Sequence, residues 1–147
     1  MPSSTTSAMP NQQSWQVSVV IPTLGGDSLR KTIEHLNRGT LIPAEVLVCI
    51  PEQEAPRAEA LAADNVKIIT TKCRGQVAQR AVGFQHAQYD LVLQLDDDIF
   101  LRDNCLKDLV ACSLEFGNVA VGPKLYDAST GHYHSFLTPN PRAVLWF

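Results

Sequence analysis

Apolar residues along this chain fall into short continuous runs, separated by stretches in which they recur every three or four positions. WQVSVVIP (15–22), AEVLVCIP (44–51), VKIIT (66–70) and YDLVLQL (89–95) are such runs; the first is rich in β-branched residues, and the first two stop at a proline. Continuous apolarity of this length predicts strands covered on both faces, because a strand with one wet face alternates instead. Between them, TLGGDSLRKTIEHLNRG offers turn glycines, Asp27 or Ser28 as a cap, Leu29, Ile33 and Leu36 at helical spacing, and Gly39 as a stop. EQEAPRAEALAADN (52–65) predicts a short surface helix with Pro56 in its first turn. RGQVAQRAVGFQHAQ predicts a helix with Val77, Ala81, Phe84 and Ala87 close to one face. LRDNCLKDLVACSLEFGN predicts a longer one, with Leu106, Leu109, Val110 and Cys112 inward and Gly117 at its end. VAVGPKLY (119–126) predicts a fifth strand, and DASTG turns it into HYHSFL as a hairpin partner.

Strands alternating with helices at this spacing predict an α/β fold of Rossmann-like layout: a mostly parallel sheet, right-handed crossovers and helices on both faces. Ligands in such sheets gather beyond the carboxyl ends of the strands, near the point where strand order reverses. Thr23, Pro51–Glu54, Thr71–Gly75 and Asp96–Asp98 therefore share one predicted rim. The length, 147 residues, suits a single domain. The polar start MPSSTTSAMPNQQS (1–14) predicts a disordered tail without the basic-then-apolar order of a signal peptide, which leaves 15–147 as the folded domain. RAVLWF closes the chain on an apolar note that reads as a cut through an element, with Trp146 and Phe147 expected to pack on further chain.

Composition narrows the function classes. Hydrophobic residues at 45% and charged residues at 18% describe a globular chain rather than a disordered one. A formal net charge of -3 argues against a nucleic-acid partner, since no basic surface offsets phosphate repulsion. An anionic ligand would need local help from arginine, a helix N-terminus or a metal. The four cysteines are scattered with no CxxC pair, and buried free thiols are the simpler reading than disulfides. No apolar stretch reaches membrane-spanning length. A cytoplasmic protein follows, with peripheral contact at the inner face of the membrane left open.

LVLQLDDDIFL places Asp96, Asp97 and Asp98 together at the end of a strand. One aspartate can cap the following helix, and a solvated turn is the simpler reading. Three in a row repel one another, and a divalent cation held by one or two carboxylates, water and phosphate oxygens relieves that repulsion. Upstream, CRGQVAQRAVG sets Arg74 and Arg80 beside a predicted helix start, where N–H groups and the helix dipole attract anions. An arginine fork also matches a diphosphate. Taken singly, Arg80 on a solvated helix face would be the commoner outcome.

VSVVIPTLGG, EVLVCIPEQE, RGQVAQRAVGFQHAQYDLVLQLDDDIF and VAVGPKLYD follow one another as they do in the family 2 glycosyltransferases, and the chain resembles that family from residue 16 to about 127. The resemblance implies the GT-A fold, incomplete at its C-terminal end, holding the N-terminal nucleotide-sugar-binding part. It implies transfer of a sugar from a nucleotide-diphosphate sugar to an acceptor hydroxyl, with inversion at the anomeric carbon and with Mn²⁺ or Mg²⁺. Asp96 then corresponds to the aspartate of the DxD motif that contacts ribose or sugar, and Asp98 to the metal ligand. Arg80 corresponds to the arginine near the nucleotide, and Thr23 to the residue beside the base pocket. The second strand ends on Ile50 and Pro51 where the family places base-reading aspartates, so Glu52 or Glu54 is the carboxylate nearest that role. Leu24 stands where the family usually has an aromatic. The family's catalytic base lies in a later segment, and no residue here matches it. The catalytic residue stays unassigned, and the acceptor can be a glycan, a lipid carrier or a protein.

Two other classes compete. A nucleotidyltransferase of similar layout also uses aspartates and a divalent ion, but commonly carries a basic, glycine-rich loop after the first strand, whereas Arg30 and Lys31 fall inside a predicted helix. A non-catalytic truncated fragment or binding remnant, holding a ligand without turnover, is the other. His132 and His134 share a strand face, yet with no third ligand nearby a surface hairpin is the simpler reading. Lys124 and Tyr126 follow the fifth strand with surface roles, while His35 and His86 read as exposed helix residues.

Overall fold

In the computed structural model, which describes residues 15–134, the four apolar runs form one parallel sheet. Its strands are β1 (Val17–Pro22), β2 (Glu45–Pro51), β3 (Val66–Thr71) and β4 (Leu91–Gln94), in the order β3-β2-β1-β4. Every residue of β1 and β2 is buried, as continuous apolarity requires of strands covered on both faces. Register is parallel throughout, with Val20 opposite Leu47 on one side and Gln94 on the other. Helix α1 (Leu29–Arg38) joins β1 to β2, and α2 (Gln76–His86) joins β3 to β4.

This order fixes where a ligand belongs. The β1-to-β2 connection steps one way along the sheet, and the β3-to-β4 connection crosses back the other way. Right-handed crossovers then put α1 and α2 on opposite faces and open a crevice between the carboxyl ends of β1 and β4.

Four expectations are corrected. β4 is not a buried strand: it lies at the sheet edge with its four residues half-buried or exposed. The segment after β2 forms two 3-10 turns, Glu52–Arg57 and Glu59–Leu61, instead of an α-helix. Pro56 lies within the first, where it removes an N–H and disfavours α-helical geometry for the residue before it. On α2 the buried residues are Gln79 and Gly83, while Val77 is 81% and Phe84 46% exposed. A Cβ at Gly83 would lie 2.3 Å from a Val20 methyl carbon and 2.8 Å from the Cys49 sulfur, so this glycine lets the helix sit directly on β1 and β2. Lastly, VAVGPKLY yields only β5 (Leu125–Tyr126), since Gly122 and Pro123 interrupt the run.

The chain divides into two compact units, the break falling after Leu106. The first holds the parallel sheet. The second takes most of α3 (Cys105–Glu115), a turn with positive φ at Gly117 and Asn118, and the antiparallel pair of β5 with β6 (Tyr133–His134). In that hairpin, bonds from Ser129 and Thr130 hold the Asp127 carboxyl down at about 2. The expected tail (1–14), the rest of HYHSFL and the terminal Trp146 and Phe147 lie outside the described residues.

Candidate functional site

The crevice is built outward from Thr23, the first residue beyond β1 and only 4% exposed. Its N–H donates to the Cys49 carbonyl at 3.0 Å, which continues the β1–β2 pairing one residue past the strand. Its own carbonyl accepts from the Gln79 amide at 2.7 Å, and its hydroxyl donates to the Asp97 carboxylate. The Gly25 N–H returns to the same hydroxyl at 2.9 Å. Gly25 has φ +78°, and a Cβ there would meet the Arg57 Cβ at 2.5 Å, so a side chain is doubly unwelcome at this turn.

Beyond β4, the Leu95 N–H reaches the Val20 carbonyl at 3.1 Å, and Asp96–Ile99 then forms a turn with Asp97 and Asp98 at its corner. Thr32 of α1, fully buried, donates its hydroxyl to the Asp97 carbonyl at 2.8 Å. Asp96 accepts from the Arg80 guanidinium, whose Nε is buried with no hydrogen-bond partner among the described residues. Asp98 is exposed, and no hydrogen bond or ion pair engages its carboxylate among the described residues.

Of the residues named from sequence, Thr23, Arg80, Asp96 and Asp98 therefore converge on the β1–β4 crevice, together with Asp97. Glu52 is exposed in the first 3-10 turn, at the carboxyl end of the neighbouring strand β2. Glu54, in the same turn, pairs with Arg57 at 3.3 Å and with Arg74 at 3.8 Å, and Arg57 donates to the Leu24 carbonyl at 3.1 Å. Leu24, 37% exposed, lies beside that link. Two further residues belong to the site. Gln79 was given no role from sequence; it falls four residues from both Gly75 and Gly83, on the face that the small Gly83 brings onto the sheet. Asp97 was named with Asp96 and Asp98 but, unlike them, was given no role of its own.

A divalent ion fits only one kind of arrangement here. Among the described residues no group of three or more His, Cys, Asp or Glu side chains is placed to hold a metal by itself. Arg80 and Thr23 already engage Asp96 and Asp97, which leaves Asp98 as the open carboxylate. Such a donor set suits a hard cation bound through one or two carboxylates and completed by water and phosphate oxygens, not a cage made by protein alone.

Elsewhere, His35 is half-buried rather than exposed: it stacks on Phe100 at 5.3 Å, and its Nδ1 lies 3.0 Å from an Arg38 nitrogen. His86 is exposed as expected, as are His132, Lys124 and Tyr126 in the second unit. All four cysteines are free; Cys49 is buried and its thiol is pushed up to about 11 by that burial.

Comparison with known proteins agrees with this geometry. The fold is similar to that of S. aureus TarS, solved in complex with UDP-GlcNAc, with a TM-score of 0.55 and 21% identity over 76% of this chain and 38% of that one. It is also similar to a 4-diphosphocytidyl-2C-methyl-D-erythritol synthase from Anaerococcus prevotii, with a TM-score of 0.56 and 15% identity over 89% of this chain and 66% of that one. The chain thus spans less than two thirds of the length of either. At such identities the likeness shows the fold alone, which is the α/β, Rossmann-like layout of both. No curated protein matches the chain. The family model for glycosyl transferase family 2 matches residues 18–144, a span that takes in the parallel sheet from Ser18 of β1 onward, with Thr23, Arg80 and Asp96–Asp98. With so much of its length matched, the chain belongs to glycosyl transferase family 2.

Proposed function

We propose that the β1–β4 crevice binds a nucleotide-diphosphate sugar and serves transfer of that sugar to an acceptor hydroxyl, with inversion and with Mn²⁺ or Mg²⁺. The observation that carries the reading is an Asp98 carboxylate unengaged among the described residues, beside the Arg80–Asp96 pair, at the switch point of a family 2 domain. The UDP-GlcNAc complex of TarS supports a nucleotide-sugar donor. In this reading Asp98 holds the cation, and Asp96 meets the ribose or sugar while keeping Arg80 oriented. Arg80 supplies fixed positive charge where the diphosphate develops negative charge on leaving. Thr23 shapes the wall beside the base, and Glu52, exposed at the next strand end, is the acidic candidate for its edge. The cation, when bound, would neutralise the departing diphosphate. A carboxylate base for the acceptor is left unassigned, and glycan, lipid-carrier and protein acceptors all fit. The proposal keeps a cytoplasmic location with contact at the inner membrane face; no helix among the described residues is long and apolar enough to cross a membrane.

The synthase neighbour favours a second reading, nucleotidyl transfer. Against it, Arg30 and Lys31 lie within α1, exposed, rather than in the loop that follows β1. Calorimetry separates these readings. Titrating UDP and other nucleoside diphosphates with and without Mn²⁺ is expected to give binding only with the cation, and Asp98→Ala is expected to abolish it. Metal-independent binding would overturn the proposal, as would no binding by a folded chain. Turnover of a nucleoside triphosphate with a sugar or alcohol phosphate would favour the second reading, and binding without any turnover would mark a binding remnant.

A further inference from the structure

We propose that Gln79 and Asp97 are positioning residues, forming with Thr23 an inner hydrogen-bonded frame that holds the outer Arg80–Asp96 pair in place. Gln79 and Arg80 are neighbours on α2, and Asp96 and Asp97 are neighbours after β4. The outer member of each pair meets the other directly, while the inner members both bond to Thr23. The consequence for ligand binding rests on the donor-site reading above; the frame itself does not.

Gln79 is 1% exposed, and burying an amide is costly unless its hydrogen-bonding capacity is used. Here it is. The amide nitrogen donates to the Thr23 carbonyl at 2.7 Å and to the Cys49 carbonyl at 2.6 Å, and the amide oxygen accepts from the Gly75 N–H at 3.3 Å. One side chain thus ties the ends of β1 and β2 to the start of α2. It also serves an N-terminus that lacks a side-chain cap, Gly75 being the capping residue. Asp97 does the matching work at β4. Its carboxylate takes the Thr23 hydroxyl and its carbonyl takes the Thr32 hydroxyl, which ties the turn to β1 and to α1.

The outer pair is not self-sufficient. The Arg80 and Asp96 side chains are 20% and 47% exposed, and ion pairs so open to solvent hold one another weakly. Arg80 nevertheless keeps its Nε buried without a partner among the described residues, an arrangement that needs support from elsewhere. The inner frame supplies that support, because it fixes the backbone on both sides of the pair.

Two measurements on the full chain test this. One is UDP affinity with Mn²⁺ by calorimetry; the other is solvent exchange of the Arg80 Nε–H by NMR, which needs no ligand. Asp97→Ala is expected to weaken UDP about tenfold, the size of losing one charge-assisted hydrogen bond, and to speed the exchange. Asp97→Asn keeps an oxygen acceptor and is expected to restore both to within about threefold of the parent. Gln79→Met, similar in volume but without the amide, is expected to speed exchange as well. Parent-like affinity and exchange in Asp97→Ala would overturn the frame. An Asn variant as poor as Ala would also overturn it, since charge or metal ligation would then be Asp97's role. Should Asp97→Ala fail to fold, Thr32→Val removes only the bond to the Asp97 carbonyl and should speed exchange in the same direction; no change would count against the frame. If the parent binds no nucleoside diphosphate, the donor reading fails while the exchange comparison still decides the frame.

Discussion

The parallel sheet carries acidic side chains at both ends and uses them in opposite ways. At the amino end, Glu45 is 1% exposed, and its carboxylate accepts from the Ser18 hydroxyl at 2.8 Å, the Gln88 N–H at 2.8 Å and the Lys67 ammonium at 2.9 Å. Burial pushes its pKa up, but Lys67 and the bonds from Gln88 and Ser18 outweigh that and hold it below the ordinary glutamate value. At the carboxyl end, Asp96 stays half open beside Arg80; among the described residues the exposed Asp98 is unengaged and the Arg80 Nε has no acceptor. One end saturates its charge from within the fold. The other keeps bonding capacity in reserve, which is what a binding rim needs and a structural ion pair does not.

The contrast predicts that substitutions at the two ends separate binding from stability. The largest effect belongs to Asp98→Ala, with UDP binding in Mn²⁺ lost while thermal unfolding stays within about 0.5 kcal/mol, as for an exposed side chain with no partners. Lys67→Met should do the reverse. It leaves Glu45 buried and uncompensated, at a cost of about 2 kcal/mol in urea unfolding, below the usual range for buried pairs because the Lys67 side chain is 44% exposed. Nucleotide affinity should not change. Loss of binding in Lys67→Met, or of stability in Asp98→Ala, would break the comparison.

The smallest effect concerns acid. Glu45 has a depressed folded pKa, so its contribution is fully present above the unfolded value of about 4.3 and is lost as pH falls through the folded one. Unfolding free energy should therefore decline below about pH 4, and Glu45→Gln should flatten that decline. An unchanged slope in the Gln variant would assign the acid sensitivity to other carboxylates.

Much of this was legible in the sequence where apolarity was continuous. β1, β2 and the face of α1 carrying Leu29, Ile33 and Leu36 follow directly from it, and both central strands are wholly buried. The face of α2 was misread because periodicity weighs apolar residues, whereas close approach selects Gly83 and lets a polar Gln79 be the buried contact. β4 carries the same apolar signature as a central strand, and only its place in the order β3-β2-β1-β4 leaves it half exposed. Within the rim, residue types pointed to Arg80, Asp96 and Asp98. The inward roles of Gln79 and Asp97 depend on partners 56 and 74 residues away in sequence, which no local pattern encodes.

The central claim is that the crevice between β1 and β4 takes the diphosphate end of the donor. A crystal of the chain grown with UDP and Mn²⁺ tests it most directly. The account predicts the ion in direct contact with an Asp98 oxygen and with the diphosphate, and Arg80 still paired to Asp96. A nucleotide bound elsewhere, or an ion in the crevice that Asp98 does not touch, would contradict it.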